Sequence, residues 1–389
     1  MPHPYRIDEA AARAAATASR IASDVLAGSA AAVDAEARFP ASGLEALAKA
    51  GLLGLTVPAE LGGQGAGMRA FAAVAEELAV ACGSTAMIYV MHVAAGQAIA
   101  SGAALSGRDA LLREIAAGRH LTTLAFSERG SRSQFWAPVS RLAPRGPDFT
   151  VSAEKSWVTS ARHADSYVAS AQKPDAASPL ESTVFLVRRN APGVRVAGAF
   201  DGLGLRGNDS APVALENVAV SAGDLISPLG EGATTMLMVV LPWFSIGTSA
   251  MSHGLCRAAI AATTAHLAGS TMTHTGTALR DLPNLRARLA EMAVRTEQSR
   301  ALLGHALDQL ESGAPEAPLA VLQMRLAALE AATDVTDLAM KTCGGAAFSR
   351  HLGLERVFRD ARAGWVMAPT VDHLLEFSGR ALTGLPLFG

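Results

Sequence analysis

From about residue 5 to 118, apolar side chains recur three and four positions apart in an Ala-, Leu- and Glu-rich background, which predicts successive helices. Pro58 and the Gly62-Gly63-Gln64-Gly65 cluster mark a loop between two of them. Between about 120 and 220 the period changes. Short alternating or β-branched segments at 121–126, 149–151, 166–171, 183–187 and 213–220 are separated by Gly, Pro, Asn and Asp, the pattern of an antiparallel sheet or small barrel. After Gly230-Glu231-Gly232 helical periodicity returns, in long segments around 233–270, 282–311, 315–344 and 370–382. The expected fold class is α+β, mainly α. It comprises an N-terminal helical domain over 1–119, a middle antiparallel β-domain over 120–225 and a C-terminal helical bundle over 226–389.

Composition narrows the partners. Half of the 389 residues are apolar and 17% are charged, which suits a large core or a substantial oligomer interface. A net charge of -2 gives no electrostatic reason to expect nucleic acid or anionic lipid. Cys82, Cys256 and Cys343 lie far apart with no C-x-x-C spacing, so neither a disulfide framework nor a zinc site is expected, and a reducing cytoplasm is the simplest location. Asp8, Glu9, Arg13 and Arg20 at helical spacing leave no signal-peptide core. The most apolar run, 236–246, contains Pro242 and reads as too short to span a bilayer. A soluble protein with no membrane partner is expected.

Several segments carry more than composition. Gly51-Leu52-Leu53-Gly54-Leu55-Thr56-Val57-Pro58, Cys82-Gly83-Ser84-Thr85-Ala86, Lys155-Ser156-Trp157-Val158-Thr159-Ser160, Leu289-Ala290-Glu291-Met292 and Cys343-Gly344-Gly345 followed by Arg359-Asp360-Ala361-Arg362 occur in the order of acyl-CoA dehydrogenase motifs. The chain resembles that superfamily almost end to end, and the resemblance implies the same three-domain order and a bound flavin. By that resemblance Trp157 packs near the isoalloxazine, and Thr159, with Ser160 beside it, hydrogen-bonds the ring near its redox atom. Phe126-Ser127-Glu128-Arg129-Gly130-Ser131-Arg132-Ser133-Gln134 occupies the place of a family loop. Its Phe126, Ser127 and Ser133 would approach flavin or phosphate oxygens. Arg129 and Arg132, where the family has no arginine, would with Ser133 meet a phosphopantetheine, a CoA phosphate or an acidic acyl group. Gly344 and Gly345 match a motif that meets the dinucleotide of a neighbouring subunit, and Thr370 joins the cofactor set. The family's pyrophosphate Arg and its Phe partner correspond to Met272 and Thr275. The resemblance implies FAD, and the loss of that fixed charge from the pyrophosphate site makes FMN the alternative. The G-x-G-x-x-G match at Gly202–Gly207 precedes a strand-like segment, so it does not signal a Rossmann site.

The resemblance fails at the base. Family members place a catalytic Glu at one of two positions that here read Ala368 and Phe244. Neither accepts a proton. Asp372, His253 and His373 are weaker substitutes, and His92 is the preferred candidate because an imidazole titrates near neutrality. The resemblance implies a flavin-dependent oxidoreductase that dehydrogenates an acyl thioester of CoA or a carrier protein and passes electrons to an acceptor. The alternatives are a monooxygenase fed by a flavin reductase, which needs no α-proton base, and a non-catalytic acyl- or flavin-binding protein. A homotetramer, or failing that a homodimer, is expected by the same resemblance.

Overall fold

The computed structural model describes residues 3–388. Six helices open the chain: α1 Glu9–Ile21, α2 Ala27–Ala35, α3 Ala41–Lys49, α4 Met68–Ala81, α5 Gly83–Ser101 and α6 Arg108–Ala116. Asp8 caps α1 by accepting from the Ala11 amide. α5 differs from the others in having no polar stripe, and it is buried on all sides along nearly its whole length.

The middle region forms seven strands: β1 Thr122–Ala125, β2 Leu142–Arg145, β3 Asp148–Val158, β4 Ser166–Gln172, β5 Ser182–Arg188, β6 Val194–Val196 and β7 Ala211–Val220. They make two sheets, ordered β1-β4-β5 and β2-β3-β7-β6. One pairing departs from the antiparallel expectation, because β1 and β4 run parallel. The chain leaves β1, crosses into the other sheet for β2 and β3, and returns, a connection long enough for a parallel pair. β2 escapes the periodicity argument because Pro144 interrupts it, which an edge strand tolerates. β3 extends well beyond 149–151 and carries register irregularities between Val151 and Ala153 and between Lys155 and Val158. The second irregularity re-aims the strand where Trp157 stands.

The remainder is helical: α7 Leu241–Gly269, α8 Pro283–Ser312, α9 Ala317–Cys343, α10 Leu354–Ala361 and α11 Val371–Leu382. A two-stranded hairpin, β8 Thr271–Met272 with β9 Thr277–Ala278, joins α7 to α8. Pro242 does not break the apolar run. A π-helical segment, Thr235–Val240, precedes it, and the wider turn accommodates the missing amide. The resulting helix, Gly232–Gly269, is long and apolar enough to cross a membrane, so the short-run expectation fails; half of its most apolar window is buried inside the protein.

One apolar core joins the N-terminal helices to the bundle and touches the β-domain through Leu124 and Phe126. α4 and α7 approach closely at Gly254, where a Cβ would lie 2.3 Å from the Glu76 carbonyl oxygen. At that crossing the buried Glu76 carboxylate meets Arg257 at 2.8 Å and Arg300 at 3.0 Å. It also accepts from the Tyr5 hydroxyl, which contacts His253 Nδ1 at 2.8 Å. Removing the charge from one member leaves the guanidinium groups facing a neutral group in a closed space. Glu76→Gln should cost about 3 kcal/mol, near the low end for a broken buried pair because Arg257 is a third exposed. Urea unfolding would measure it; a loss below about 1 kcal/mol would place the network's energy elsewhere.

Candidate active site

A cavity of roughly 830 Å³ opens where the three regions meet. Its apolar interior comes from Met87 and Met91 of α5, Leu124 of β1, Phe126 and Phe135, and Val240, Leu241 and Phe244 at the start of the long helix. Met367 and Ala368 close the far wall, from the loop before α11. Trp157, Leu203, Trp365 and Val366 are more than half exposed or nearly so at the mouth.

Trp157 stands at φ 55°, a left-handed conformation unusual for a bulky side chain. The β3 irregularity holds it there, with its indole 68% exposed and edge-on to Phe200 at 6.4 Å. Two residues later Thr159 is buried in the cavity wall, with Oγ1 3.0 Å from Ser210 Oγ. In such a hydroxyl pair one oxygen donates and the other keeps a proton free for a ligand. Ser127, Ser133 and Asn208 add polar groups to the wall. An apolar slot with an exposed indole on one side and hydroxyl donors along an edge fits a planar, hydrogen-bonding ring system such as a flavin.

Five charged side chains line the cavity: Glu128, Arg129, Arg132, Arg359 and Arg362. Glu128 is fully engaged. It accepts from Lys155 Nζ at 2.6 Å, from Ser140 Oγ at 2.5 Å and from the Val139 and Ser140 amides at 2.6 and 2.7 Å. Burial works against its charge, but the Lys155 ammonium and these donors hold the carboxyl below its ordinary range. It is not a proton acceptor at neutral pH. Arg359 forks onto Asp34 of α2 at 2.7 and 2.5 Å, which pins the bundle to the N-terminal helices as well as lining the cavity. Arg362 donates to Thr336 Oγ1 at 2.8 Å and lies 3.7 Å over the Phe358 ring.

The residues expected from sequence divide sharply. Phe126, Ser127, Ser133, Trp157 and Thr159 line the cavity, as do Arg129 and Arg132 and both altered base positions, Phe244 and Ala368. Ser160 is buried with its amide on the Asn208 carbonyl, and Thr370 caps α11 through the His373 amide; neither lines the wall. Gly344 and Gly345 are exposed at the end of α9, outside it.

His92 requires correction as the candidate base. Its Nε2 donates to the Leu53 carbonyl at 3.1 Å, and its Nδ1 accepts from the Thr122 amide at 3.2 Å. The backbone amide fixes that tautomer, burial lowers the pKa to about 4, and no edge of the ring faces the cavity. His253 is likewise consumed, between Tyr5 and Ser299, and Asp372 is exposed on α11. The sequence reading missed Arg359 and Arg362 as cavity residues. Their spacing of three on one helix was the available signal.

Three family models match in chain order: "Acyl-CoA dehydrogenase, N-terminal domain" over 8–119, the middle domain over 123–218 and the C-terminal domain over 230–382. The chain is 27% identical over 351 residues to cyclohex-1-ene-1-carbonyl-CoA dehydrogenase of Geobacter metallireducens, covering 90% of this chain and 92% of that one. It is 29% identical over 335 residues to the mitochondrial short-chain specific acyl-CoA dehydrogenase of Homo sapiens, covering 86% and 80%. Its fold matches that of butyryl-CoA dehydrogenase from Megasphaera elsdenii with a TM-score of 0.92 at 20% identity, over 97% of this chain and 99% of that one.

Buried neutral histidine has a consequence for acid stability. The folded pKa of His92, near 4, lies below its ordinary 6.5, so the unfolded chain takes up the proton first as pH falls. The contribution is complete above about pH 6.5 and gone below about pH 4, and amounts to roughly 3 kcal/mol. His120 and His253 shift in the same direction. Urea unfolding at about pH 7.5 and pH 4.5 should therefore show a steeper loss for the native chain than for His92→Gln. Equal losses would mean that His92 is not held neutral.

Proposed function

Because the chain belongs to the acyl-CoA dehydrogenase family, we propose that it oxidises an acyl thioester of CoA or a carrier protein at a bound FAD. The carrying observation is Trp157, turned out of β3 over an apolar cavity whose wall presents the Thr159–Ser210 hydroxyl pair. A flavin bound there supplies a hydride acceptor. Thr159 and Ser127 would hold the ring's polar edge, Trp157 its face, and Met87, Met91, Phe126 and Phe135 would exclude water from the acyl chain. Arg129 and Arg132 would meet a phosphate of the cofactor or of the thioester's carrier. Among the described residues Arg129 pairs with Glu154 alone, at 3.4 Å and largely exposed, which leaves its guanidinium accessible to phosphate. We place the chain in a homotetramer as the resemblance implies, with the exposed Phe348 near Gly344 and Gly345 available for a contact between copies, and three buried free cysteines suit a reducing cytoplasm. A separate redox protein would take the electrons.

One observation favours the second reading, a monooxygenase supplied with reduced flavin. Among the described residues lining the cavity, no carboxylate or imidazole is free to take an α-proton. Anaerobic titration of the flavin-loaded protein with saturated acyl thioesters separates the two. Bleaching of the oxidised flavin band supports dehydrogenation. No bleaching, together with substrate-stimulated oxygen consumption by the pre-reduced protein, supports monooxygenation.

The vacant base position gives a gain-of-function test. Ala368 faces the cavity, so Ala368→Glu should speed bleaching by an unactivated thioester by about 100-fold, the scale of a restored general base. An unchanged rate would show that position 368 does not reach the α-carbon.

A further inference from the structure

Arg325, on α9, is the largest fully buried side chain in the protein. Among the described residues it has no carboxylate partner. Its Nη2 donates to the Met367 carbonyl at 3.1 Å, its Nη1 contacts the Thr248 hydroxyl, and its Cζ lies 4.8 Å from the centroid of the Phe244 ring. Its Nε has no hydrogen-bond partner. The nearby acidic side chains Glu330 of α9 and Asp372 and Glu376 of α11 are all exposed on the surface. A guanidinium does not shed its proton under ordinary conditions, so this is a standing positive charge in an apolar interior.

Its place relative to the cavity gives it a use. Phe244 and Met367, the two groups it touches from behind, both line the wall, and Ala368 is the next residue along. Phe244 and Ala368 are also the positions where the resemblance puts a carboxylate. Such a carboxylate would have stood close to this cation. Here both are uncharged, and the field of Arg325 reaches the cavity at this wall through one layer of side chain, where screening by water is weak. The carboxylate that the resemblance implies would present negative charge at this wall. This chain presents positive.

We infer that Arg325 makes this wall of the cavity selective for a thioester whose short acyl group carries a negative charge near the reacting carbons, such as the carboxylate of a succinyl group. The inference rests on the thioester reading above and names the substrate class for the same site. Arg325 acts across Phe244 and Met367, so it is a specificity and positioning residue, not a catalytic one. The Phe244 ring both transmits and attenuates its influence, since a cation over one face leaves the opposite face less repulsive to an anion.

Binding tests this without turnover. Butyryl and succinyl thioesters have the same four-carbon chain and differ in a terminal methyl or carboxylate. Each is titrated as the CoA and the pantetheine ester into the flavin-loaded protein, by calorimetry and by the shift of the flavin absorbance band. The native protein should bind the succinyl ester about tenfold more tightly than the butyryl ester, the scale of one weakly screened unit charge. Arg325→Met should fold, because replacing an unpaired buried charge with an apolar chain of similar volume is tolerated, and it should lose most of the preference for the succinyl ester while Arg129 and Arg132 stay in place. Arg325→Lys should keep a preference for succinyl. Phe244→Leu, which leaves Arg325 in place and thins the wall, should increase it. A purely structural Arg325 would weaken both esters together in Arg325→Met, and that result overturns the inference. So does native binding that favours butyryl or ignores the carboxylate. Failure of every thioester to bind in either form overturns the thioester reading itself, and the inference falls with it.

Discussion

Lys155 and Glu128 hold the cavity side of the β-domain together. Both side chains are almost wholly withdrawn from water, and their 2.6 Å contact ties β3 to the segment leaving β1. Lys155 also donates to the Ser170 carbonyl of β4 at 2.6 Å, while Glu128 gathers the chain at Val139 and Ser140. Two sheets and two loops therefore converge on one charge pair. Trp157 follows Lys155 by two residues, and the Arg129–Ser133 loop follows Glu128 directly. A pair buried this deeply adds little net stability over an apolar equivalent. Its contribution is geometric: with all its partners satisfied, it fixes where the exposed indole and the arginine loop stand.

The same pair explains why a charged residue on the cavity wall is chemically silent. Glu128 has the right identity for a base and the wrong surroundings, since every donor around it favours the ionised, fully bonded form. The groups that hold the fold are thus kept apart from the groups that face the ligand. The Tyr5–Glu76–His253 network and the His92 bridge between Leu53 and Thr122 lie behind the walls. Phe244 and Ala368 make no side-chain hydrogen bonds, and Phe244 meets only the face of the Arg325 guanidinium among the charged groups behind it. Exchange of a glutamate at either place breaks none of these networks; its consequence falls on Arg325 behind the wall.

How much of this was legible in the sequence follows from which features are local. The order of helices and strands was legible because period and turn residues report it over ten to thirty residues. Trp157, Thr159 and the two altered base positions were legible because they sit in contiguous motifs. The parallel β1–β4 pairing was not, since it depends on where a long excursion returns. His92 was misplaced for a simple reason. α5 is apolar on every side, so nothing in its sequence marks the face turned to the cavity. Met87 and Met91, four apart, define that face, and His92 is the next residue, rotated about 100° away from it.

Arg325 was invisible on the same ground and is the more instructive case. In the run Met324-Arg325-Leu326 it reads as an ordinary helix cation with a solvated head. Only the packing of α9 against α7 and against the loop before α11 removes it from water, and only the absence of a carboxylate at positions 244 and 368 leaves it unpaired. A charge in this situation raises the energy of the empty protein and lowers that of any state with an anion nearby. The missing glutamate, at whichever of the two positions it would have stood, and the charge that remains behind the wall are thus one electrostatic change. The wall has lost its negative group, and the cation it would have neutralised now acts on whatever occupies the cavity.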